Sequence, residues 1–234
     1  MRRMTSAGPS MGDTVHARVV SMIARCELEP GRWITEKEIV ALTGFGLAPV
    51  RSALGRLRYE GLVEPVPRVG YQVRPLDAAD VEDVFDVWEI LAPELIRRAY
   101  ARVSDEDVEA HVAELGDDAA ALAPGAARGE EYWRAGRRHA VWIARMSGSP
   151  RLESLFQRLS IDLRRCCSLL SRIEGGRAKV LDELPDLLAC LRRRDVEVAV
   201  EQIRATQAAA RRLTLDAVRR AEEIDLWRTE PAVS

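Results

Sequence analysis

Residues Thr35 to Val73 contain the most informative pattern in the chain; they read TEKEIVALTGFGLAPVRSALGRLRYEGLVEPVPRVGYQV. The spacing of apolar residues predicts two short amphipathic helices, separated by a turn that contains Gly44 and Gly46. Apolar residues then alternate with polar ones up to Val73, which predicts two short strands in a hairpin. A helix-turn-helix followed by a β-wing has this order of elements.

The second of these helices has an apolar side and a basic side. Its three arginines, Arg51, Arg56 and Arg58, fall outside the apolar stripe. A helix that enters a groove of DNA needs one side packed on its own domain and a basic side turned outward. The apolar stripe consists of Val50, Ala53, Leu54, Leu57 and Leu62.

Upstream of this stretch the pattern predicts one more helix. Residues 1–12 have no apolar period and are expected to form a mobile arm. Asp13 is a predicted N-cap, and the apolar spacing after it extends the helix to about Arg25. Thr35 and Glu38 have the spacing of a capping box, which starts the next helix. Residues 13–76 are therefore predicted to form a winged head, which contains three helices and a wing.

Beyond residue 76 the strand signals end and the pattern becomes helical. Apolar residues recur at three-and-four spacing from Val81 to Ala99, which predicts one long helix that Asp77 can cap. Short connections between the predicted helices favour an antiparallel bundle. The fold class is thus mainly α, with an N-terminal winged helix-turn-helix followed by an all-α antiparallel helical bundle. Five further helices are expected at about 105–122 (opened by a Ser104–Asp107 box), 129–147, 150–174, 178–193 and 195–222.

Charge is unevenly distributed along the 234 residues. Residues 1–76 contain 11 Lys and Arg against 7 Asp and Glu, and the remainder contains 24 against 30. Residues 1–76 therefore have a formal charge of +4, and residues 77–234 one of −6. This asymmetry is expected when only the head contacts a polyanion.

The cysteines and the hydropathy indicate a cytoplasmic protein. Cys26, Cys166, Cys167 and Cys190 lack the spacing of metal ligands or of a disulfide framework, so reduced thiols are favoured over a redox switch. No stretch approaches the roughly 18 apolar residues of a spanning helix, and we expect no membrane partner.

The head also carries a family resemblance. Leu28 to Gly31 read LEPG, Ala48 to Leu57 read APVRSALGRL, and Glu60 to Val63 read EGLV. With Thr35-Glu36 and Gly70-x-x-Val73, about a dozen positions in fixed order resemble the GntR family of bacterial transcriptional regulators. The helical body is similar to the FadR-type branch, whose effector domain is a helical bundle called FCD.

This resemblance implies a set of residues that contact a double-stranded DNA operator. The position at which the family commonly has a guanine-reading arginine is occupied by Leu47, and Gly46 and Ala48 lack the usual hydroxyls. Capping of the helix and phosphate contacts are therefore expected to be weaker than usual. For Arg56 and Arg58, a purely solvated role is the alternative. The implied DNA-binding residues are Lys37, Leu47, Arg51, Arg56, Arg58, Arg68 and Gly70.

The resemblance also implies an effector pocket in the bundle, and there the chain departs from the family. Many FCD bundles hold a divalent ion through an Asp-x3-His pair and two later histidines. Only His139 is retained here, so we predict no metal and no other cofactor. An Arg-x3-Glu pair of the first bundle helix is replaced by Trp88 and Ala92. Ala135, Leu184 and Thr206 stand at the remaining ligand positions.

These substitutions predict a small, largely apolar effector, for example acyl or aromatic. A buried carboxylate without a cation is costly, whereas buried apolar area returns roughly 25 cal/mol per Å². His139, Thr206 or Arg165 is expected to provide at most one polar anchor. A filled core without any ligand is the alternative.

We therefore expect a homodimeric, DNA-binding transcriptional regulator that binds a palindromic operator. No nucleophile elbow or Gly-rich phosphate loop is present, and the chain is not expected to be an enzyme. In the competing interpretation, the head has weakened or lost specific DNA binding, and the protein is a helical ligand-binding or protein-interaction module. The predicted parts are the arm (1–12), the winged head (13–76), the FCD-like effector-binding and dimerisation domain (77–222) and a C-terminal tail (223–234).

Overall fold

A computed structural model describes residues 10–116, 130–173, 187–224 and 226–227. Within these ranges the chain divides after Leu76. Residues up to Leu76, together with those from Ala221 onward, form one unit, and Asp77–Arg220 form the other. In the first unit the elements are α1 (Met11–Ala24), β1 (Trp33–Ile34), α2 (Glu36–Thr43), α3 (Leu47–Tyr59), β2 (Val63–Val66) and β3 (Gly70–Val73).

Helix α1 begins earlier than the predicted cap. The hydroxyl of Ser10 accepts a hydrogen bond from the backbone N–H of Asp13, and the Asp13 carboxylate accepts one from the backbone N–H of Ser10. The prediction of Asp13 as N-cap is therefore wrong, because Asp13 is the closing member of a capping box. Residues 10–12 belong to the helix or its cap, and the rest of the predicted arm lies outside the described residues.

The start of α2 also differs from the prediction in one contact. Thr35 caps the helix as expected, since its hydroxyl accepts from the backbone N–H of Glu38 at 3.2 Å. The Glu38 carboxylate does not close the box; it forms an ion pair with Arg32 at 2.6 Å. A charge-assisted bond to a guanidinium is stronger than a bond to a neutral backbone N–H.

The turn between α2 and α3 is built as the glycines predict. Gly44 ends α2 with a φ of 73°, a left-handed conformation that favours glycine. Gly46 is the N-cap of α3, and no side chain caps this helix. Arg18 of α1 donates hydrogen bonds to the carbonyl oxygens of Leu42 and Thr43, which ties α1 to the last turn of α2.

The core of the head lies between α1 and α3. The predicted apolar stripe is confirmed, because all five of its residues are buried: four lie on α3, and Leu62 follows the end of the helix. Val15, Val19 and Ile23 supply the buried side of α1, which packs against α3. With one side of α3 fixed in this way, its opposite side faces outward.

The wing forms a three-stranded antiparallel sheet, one strand larger than predicted. Strand β3 lies in the centre and pairs with β2 and with β1. The two-residue β1 is too short to show an alternating pattern in the sequence. Its register places Ile34 opposite Tyr71.

All the secondary-structure elements in the described residues of the second unit are helices. They are α4 (Ala78–Tyr100), α5 (Asp105–Leu115), α6 (Glu130–Met146), α7 (Pro150–Ile173), α8 (Leu187–Arg193) and α9 (Val196–Glu223). Asp77 caps α4, and Ser104 and Asp107 form a complete capping box at the start of α5, both as predicted. Helix α4 packs against α6 and α7, and α5 against α6 and α8. Helix α5 ends at Leu115, so the predicted end near residue 122 is wrong; Gly116 is the C-cap, and its φ of 54° is a conformation that favours glycine and ends the helix. The predicted start of α8 near residue 178 lies outside the described residues.

The mainly α fold class, with its winged helix-turn-helix, is thus confirmed. Among the described residues, no helix combines the length and the hydropathy that crossing a membrane requires.

We predict that Gly70→Ala destabilises the head by about 1–3 kcal/mol. Gly70 has a φ of 141°, and a Cβ there would lie 2.4 Å from the carbonyl oxygen of Ile34, so strand β1 would have to move. Gly55→Ala is the matched control. At this helical glycine an added Cβ would meet nothing within 4 Å, and alanine should stabilise α3 by about 0.5–1 kcal/mol. Urea unfolding of both variants tests the prediction, and equal effects would contradict it.

Candidate nucleic-acid interface and effector domain

The outward side of α3 carries four of the seven predicted DNA-binding residues. Arg51, Arg56 and Arg58 are all exposed, as the helical pattern predicts. Leu47, the first residue of α3, is 43% exposed and so presents an apolar side chain on the same surface. The helix offers both a guanidinium and an apolar group to a neighbouring molecule.

Two of these arginines form ion pairs within the head. Arg51 Nε donates to Glu36 Oε2 at 2.9 Å, which joins α3 to the first residue of α2. Arg56 pairs with Asp13 of α1. The Ser10 hydroxyl, and then the Arg56 guanidinium, lower the pKa of the Asp13 carboxyl from its usual value. Part of the basic charge is thus compensated before any partner binds.

Three further basic side chains project from the head. Lys37 on α2, Arg58 on α3 and Arg68 in the wing turn are exposed, and none has an ion pair within the described residues. Arg68 has a φ of 66° in the turn between β2 and β3. These three residues are the cations most available to phosphate groups.

Gly70 has a structural role that its sequence position does not reveal. Its missing side chain allows β3 to approach the backbone at Ile34 of β1. A DNA contact by Gly70 stays a prediction, but the close approach by itself accounts for a glycine at this position.

In the bundle, His139 has a partner that the sequence analysis does not identify. His139 Nδ1 and His111 Nε2 are 3.1 Å apart, and both residues are buried. The ring of Trp142 stacks on His111 with the centroids 4.2 Å apart. Burial lowers the pKa of His111 to about 4, and burial with the neighbouring imidazole lowers the pKa of His139 to about 3. One ring therefore donates and the other accepts, and both are neutral at pH 7.

The residues present do not fit the divalent ion that FCD bundles commonly bind. Ala135 is buried and has no ligating atom, and the Thr206 hydroxyl donates to the Gln202 carbonyl oxygen at 2.9 Å. A zinc site requires three or four ligands. His111 and His139 supply two, and no group of three or more His, Cys, Asp or Glu side chains in the described part of the chain could hold a metal.

Arg165 is completely buried, and its charge is balanced. Its Nη1 lies 3.2 Å from Asp162 Oδ1 and 3.6 Å from Asp80 Oδ2. A buried guanidinium requires such partners. Because two carboxylates already face Arg165, this residue is a poor anchor for an effector carboxylate.

Two of the remaining pocket candidates, Trp88 and Ala92, lie on α4. Ala92 is buried, Trp88 is half-buried, and Leu184 lies outside the described residues. The backbone carbonyl of Trp88 accepts from Gln207 Nε2 at 2.7 Å, which joins α4 to the residue after Thr206. This bond fixes the orientation of the buried amide, and Gln207 Oε1 has no hydrogen-bond partner in the described structure.

The residues that the sequence analysis does not identify have weak signals in the sequence. His111 stands three residues after Val108 and four before Leu115, on the stripe that is buried in α5. That spacing could have marked His111 as inward-facing. The partners Glu36 and Asp13 give no comparable signal, because the sequence does not show which carboxylate will meet which arginine.

Two family models match the chain. The model of the bacterial regulatory proteins of the gntR family matches residues 12–73, and the FCD domain model matches residues 83–209. The two matches fall in the head and in the helical unit, respectively.

Two proteins of similar sequence are named as transcriptional regulators. An uncharacterised HTH-type transcriptional regulator of Streptomyces ambofaciens is 36% identical over 69 residues, which are 30% of this chain and 29% of the relative. The Nta operon transcriptional regulator of Aminobacter aminovorans is 29% identical over 87 residues, which are 37% and 41% of the two chains. The matches thus span less than half the length of these relatives.

Two solved structures share the fold. McbR/YncC of E. coli superposes with a TM-score of 0.73 at 18% identity, over 88% of this chain and 98% of the other. A GntR transcriptional regulator from Rhodococcus sp. RHA1 gives a TM-score of 0.66 at 18% identity over the same shares. With the FCD model covering more than half of the sequence and the gntR model covering the head, the chain belongs to the gntR family of bacterial transcriptional regulators, in the FadR-type branch that carries an FCD domain.

Proposed function

We propose that this protein is a transcriptional regulator that binds a DNA operator through the outward side of α3 and the wing. The main support is the position of Arg51, whose side chain is 62% exposed on a helix whose other side is buried against α1. Lys37, Arg58 and Arg68 add positive charge on the same unit, where phosphate contacts can position the helix. Because the proposed partner is DNA, we propose a non-enzymatic role in the cytoplasm.

Arg51→Ala is expected to weaken binding to a selected duplex by about 1–3 kcal/mol, since a guanidinium can bond phosphate or a guanine edge. Leu47→Arg should strengthen binding to DNA in general and change the preferred sequence, because leucine can contact only a thymine methyl. Fluorescence anisotropy at several salt concentrations measures both effects. Arg204→Ala, which removes an exposed arginine of the other unit, is the control. Unchanged affinity of Arg51→Ala would contradict the proposal.

A second copy of the chain is the proposed partner of α4. Val87 and Ile90 are 49% and 78% exposed, which is unusual for neighbouring apolar residues on one helix side. Asp83 lies seven residues before Ile90 and Arg97 seven residues after it. In an antiparallel pair of α4 helices with a two-fold axis near Ile90, each Asp83 would face the partner copy's Arg97. The α4 stripe, which consists of Asp83, Val87, Ile90 and Arg97, is therefore complementary to the same stripe on a second copy.

Ile90→Glu should convert a dimer to a monomer, because the two new carboxylates would face each other near the axis in place of two apolar side chains. Leu155→Glu is the control, since Leu155 is 53% exposed on α7 and is not part of the stripe. Sedimentation velocity at micromolar concentration distinguishes the two states. A monomeric wild-type protein, with and without duplex DNA, would remove the premise of a palindromic operator.

We further propose a largely apolar effector that carries one hydrogen-bond donor. His139 is neutral, Arg165 is balanced by carboxylates, and the Thr206 hydroxyl is already bonded. Gln207 Oε1 is a buried acceptor whose orientation is fixed by the Trp88 carbonyl. A buried acceptor without a donor costs free energy, which an effector N–H or O–H would recover.

A thermal-shift screen of aliphatic and aromatic amides against citrate and small dicarboxylates tests this proposal. The amides should raise the melting temperature, because binding to the folded state alone stabilises it by mass action. The small acids should have little effect. Arg165 is the cation among the three expected anchors, and it already faces two carboxylates, so it is a poor partner for a further one. Stabilisation by the acids alone would contradict an apolar effector.

The alternative, a helical module whose head has lost operator binding, is favoured by Leu47 and by the ion pair of Arg56 with Asp13. A gel shift with the region upstream of the protein's own gene separates the two functions. A discrete complex that resists non-specific competitor DNA supports the regulator, and its absence at every concentration supports the alternative.

A further inference from the structure

The contact between Arg51 and Glu36 leaves one end of the guanidinium available. Arg51 Nε donates to Glu36 Oε2 at 2.9 Å, and no other hydrogen bond of Arg51 occurs within the described residues. A guanidinium has five N–H groups in one plane, and its two terminal nitrogens extend beyond the side that Nε occupies. The terminal nitrogens therefore remain free to donate.

Two parallel donors in a fixed plane suit the guanine edge. In the major groove, guanine presents the acceptors O6 and N7, and a bidentate arginine is the commonest specific contact to them. An arginine side chain that has no contact in the unbound protein must be ordered before it can make both bonds, and this ordering costs side-chain entropy. The Glu36 carboxylate orders Arg51 in advance, because it holds the guanidinium plane at the Nε end.

The ion pair between Glu36 and Arg51 is expected to contribute little to the stability of the head, because both side chains lie at the surface. The Glu36 side chain is 29% exposed and that of Arg51 62% exposed, so the pair lies at the surface. Exposed ion pairs contribute little to folding. The same helix contains a second glutamate in an ion pair, since Glu38 contacts Arg32 at 2.6 Å. Arg32 is not among the proposed DNA contacts, which makes Glu38 a matched comparison.

We propose that Glu36 is a positioning residue that determines specificity, holding Arg51 so that its two terminal nitrogens read one guanine in each half-site. This inference rests on the proposed DNA binding and adds a residue that contacts neither base nor phosphate. A carboxylate near DNA also repels the phosphates. Glu36 therefore lowers affinity for all sequences while it raises the preference for guanine.

The experiment is selection from a randomised duplex library with the full-length wild-type protein, followed by affinity measurements. Each variant is measured on the selected duplex and on one in which the enriched guanine is replaced by adenine. The quantity compared is the ratio of the two dissociation constants. In the wild type this ratio should be at least about tenfold, the discrimination typical of a bidentate arginine contact.

Glu36→Ala should bring the ratio close to one while binding to both duplexes at low salt is kept or strengthened. Glu36→Gln, whose amide oxygen still accepts from Nε, should retain most of the ratio. Glu38→Ala removes the same charge from the same helix and should leave the ratio at its wild-type value. A wild-type ratio in Glu36→Ala, with uniformly tighter binding, would show that Glu36 only repels DNA and would overturn the proposal. If the wild type enriches no sequence, the proposed DNA binding itself fails. That result differs from a failure of the Glu36 proposal alone, in which the wild type enriches a sequence and Glu36→Ala has the same ratio as the wild type.

Discussion

Burial of one side of α3 against α1 is the interaction on which the head depends. Leu54 and Leu57 of α3 and Val19 and Ile23 of α1 are fully buried, so neither helix can rotate without exposing apolar area. This packing fixes the outward direction of Arg51 on the opposite side of α3. The surface that we propose for DNA contact is thus set by an apolar core on the other side of α3.

The elements that can be predicted from the sequence are those with a local signal. Helical periodicity, the capping box at Ser104 and the glycines of the turn each act over a few residues, and the structure confirms them. The two-residue β1 is not predictable in this way, because its pairing partner β3 is distant in the sequence. The cap of α1 is misplaced by the sequence because Ser10 and Asp13 are both good capping residues, and only the structure shows that they share the task.

The side-chain partners are beyond sequence reasoning for a related reason. Glu36 and Arg51 are 15 positions apart, and His111 and His139 are 28 apart, so each contact is a product of the tertiary fold. The substitutions in the bundle are visible in the sequence, but their consequence is not. His139 is one of two neutral, hydrogen-bonded imidazoles rather than an isolated histidine, and the free acceptor on Gln207 has no signal in the sequence.

The central claim is that Arg51 contacts a guanine in the major groove, and methylation interference tests this contact directly. A selected duplex is methylated at guanine N7 with dimethyl sulfate, and bound and free fractions are cleaved and compared. We expect one guanine in each half-site whose N7 methylation prevents binding by the wild type, and we expect this interference to disappear with Arg51→Ala. Interference confined to adenine N3 in the minor groove, or an unchanged pattern in Arg51→Ala, would contradict the account.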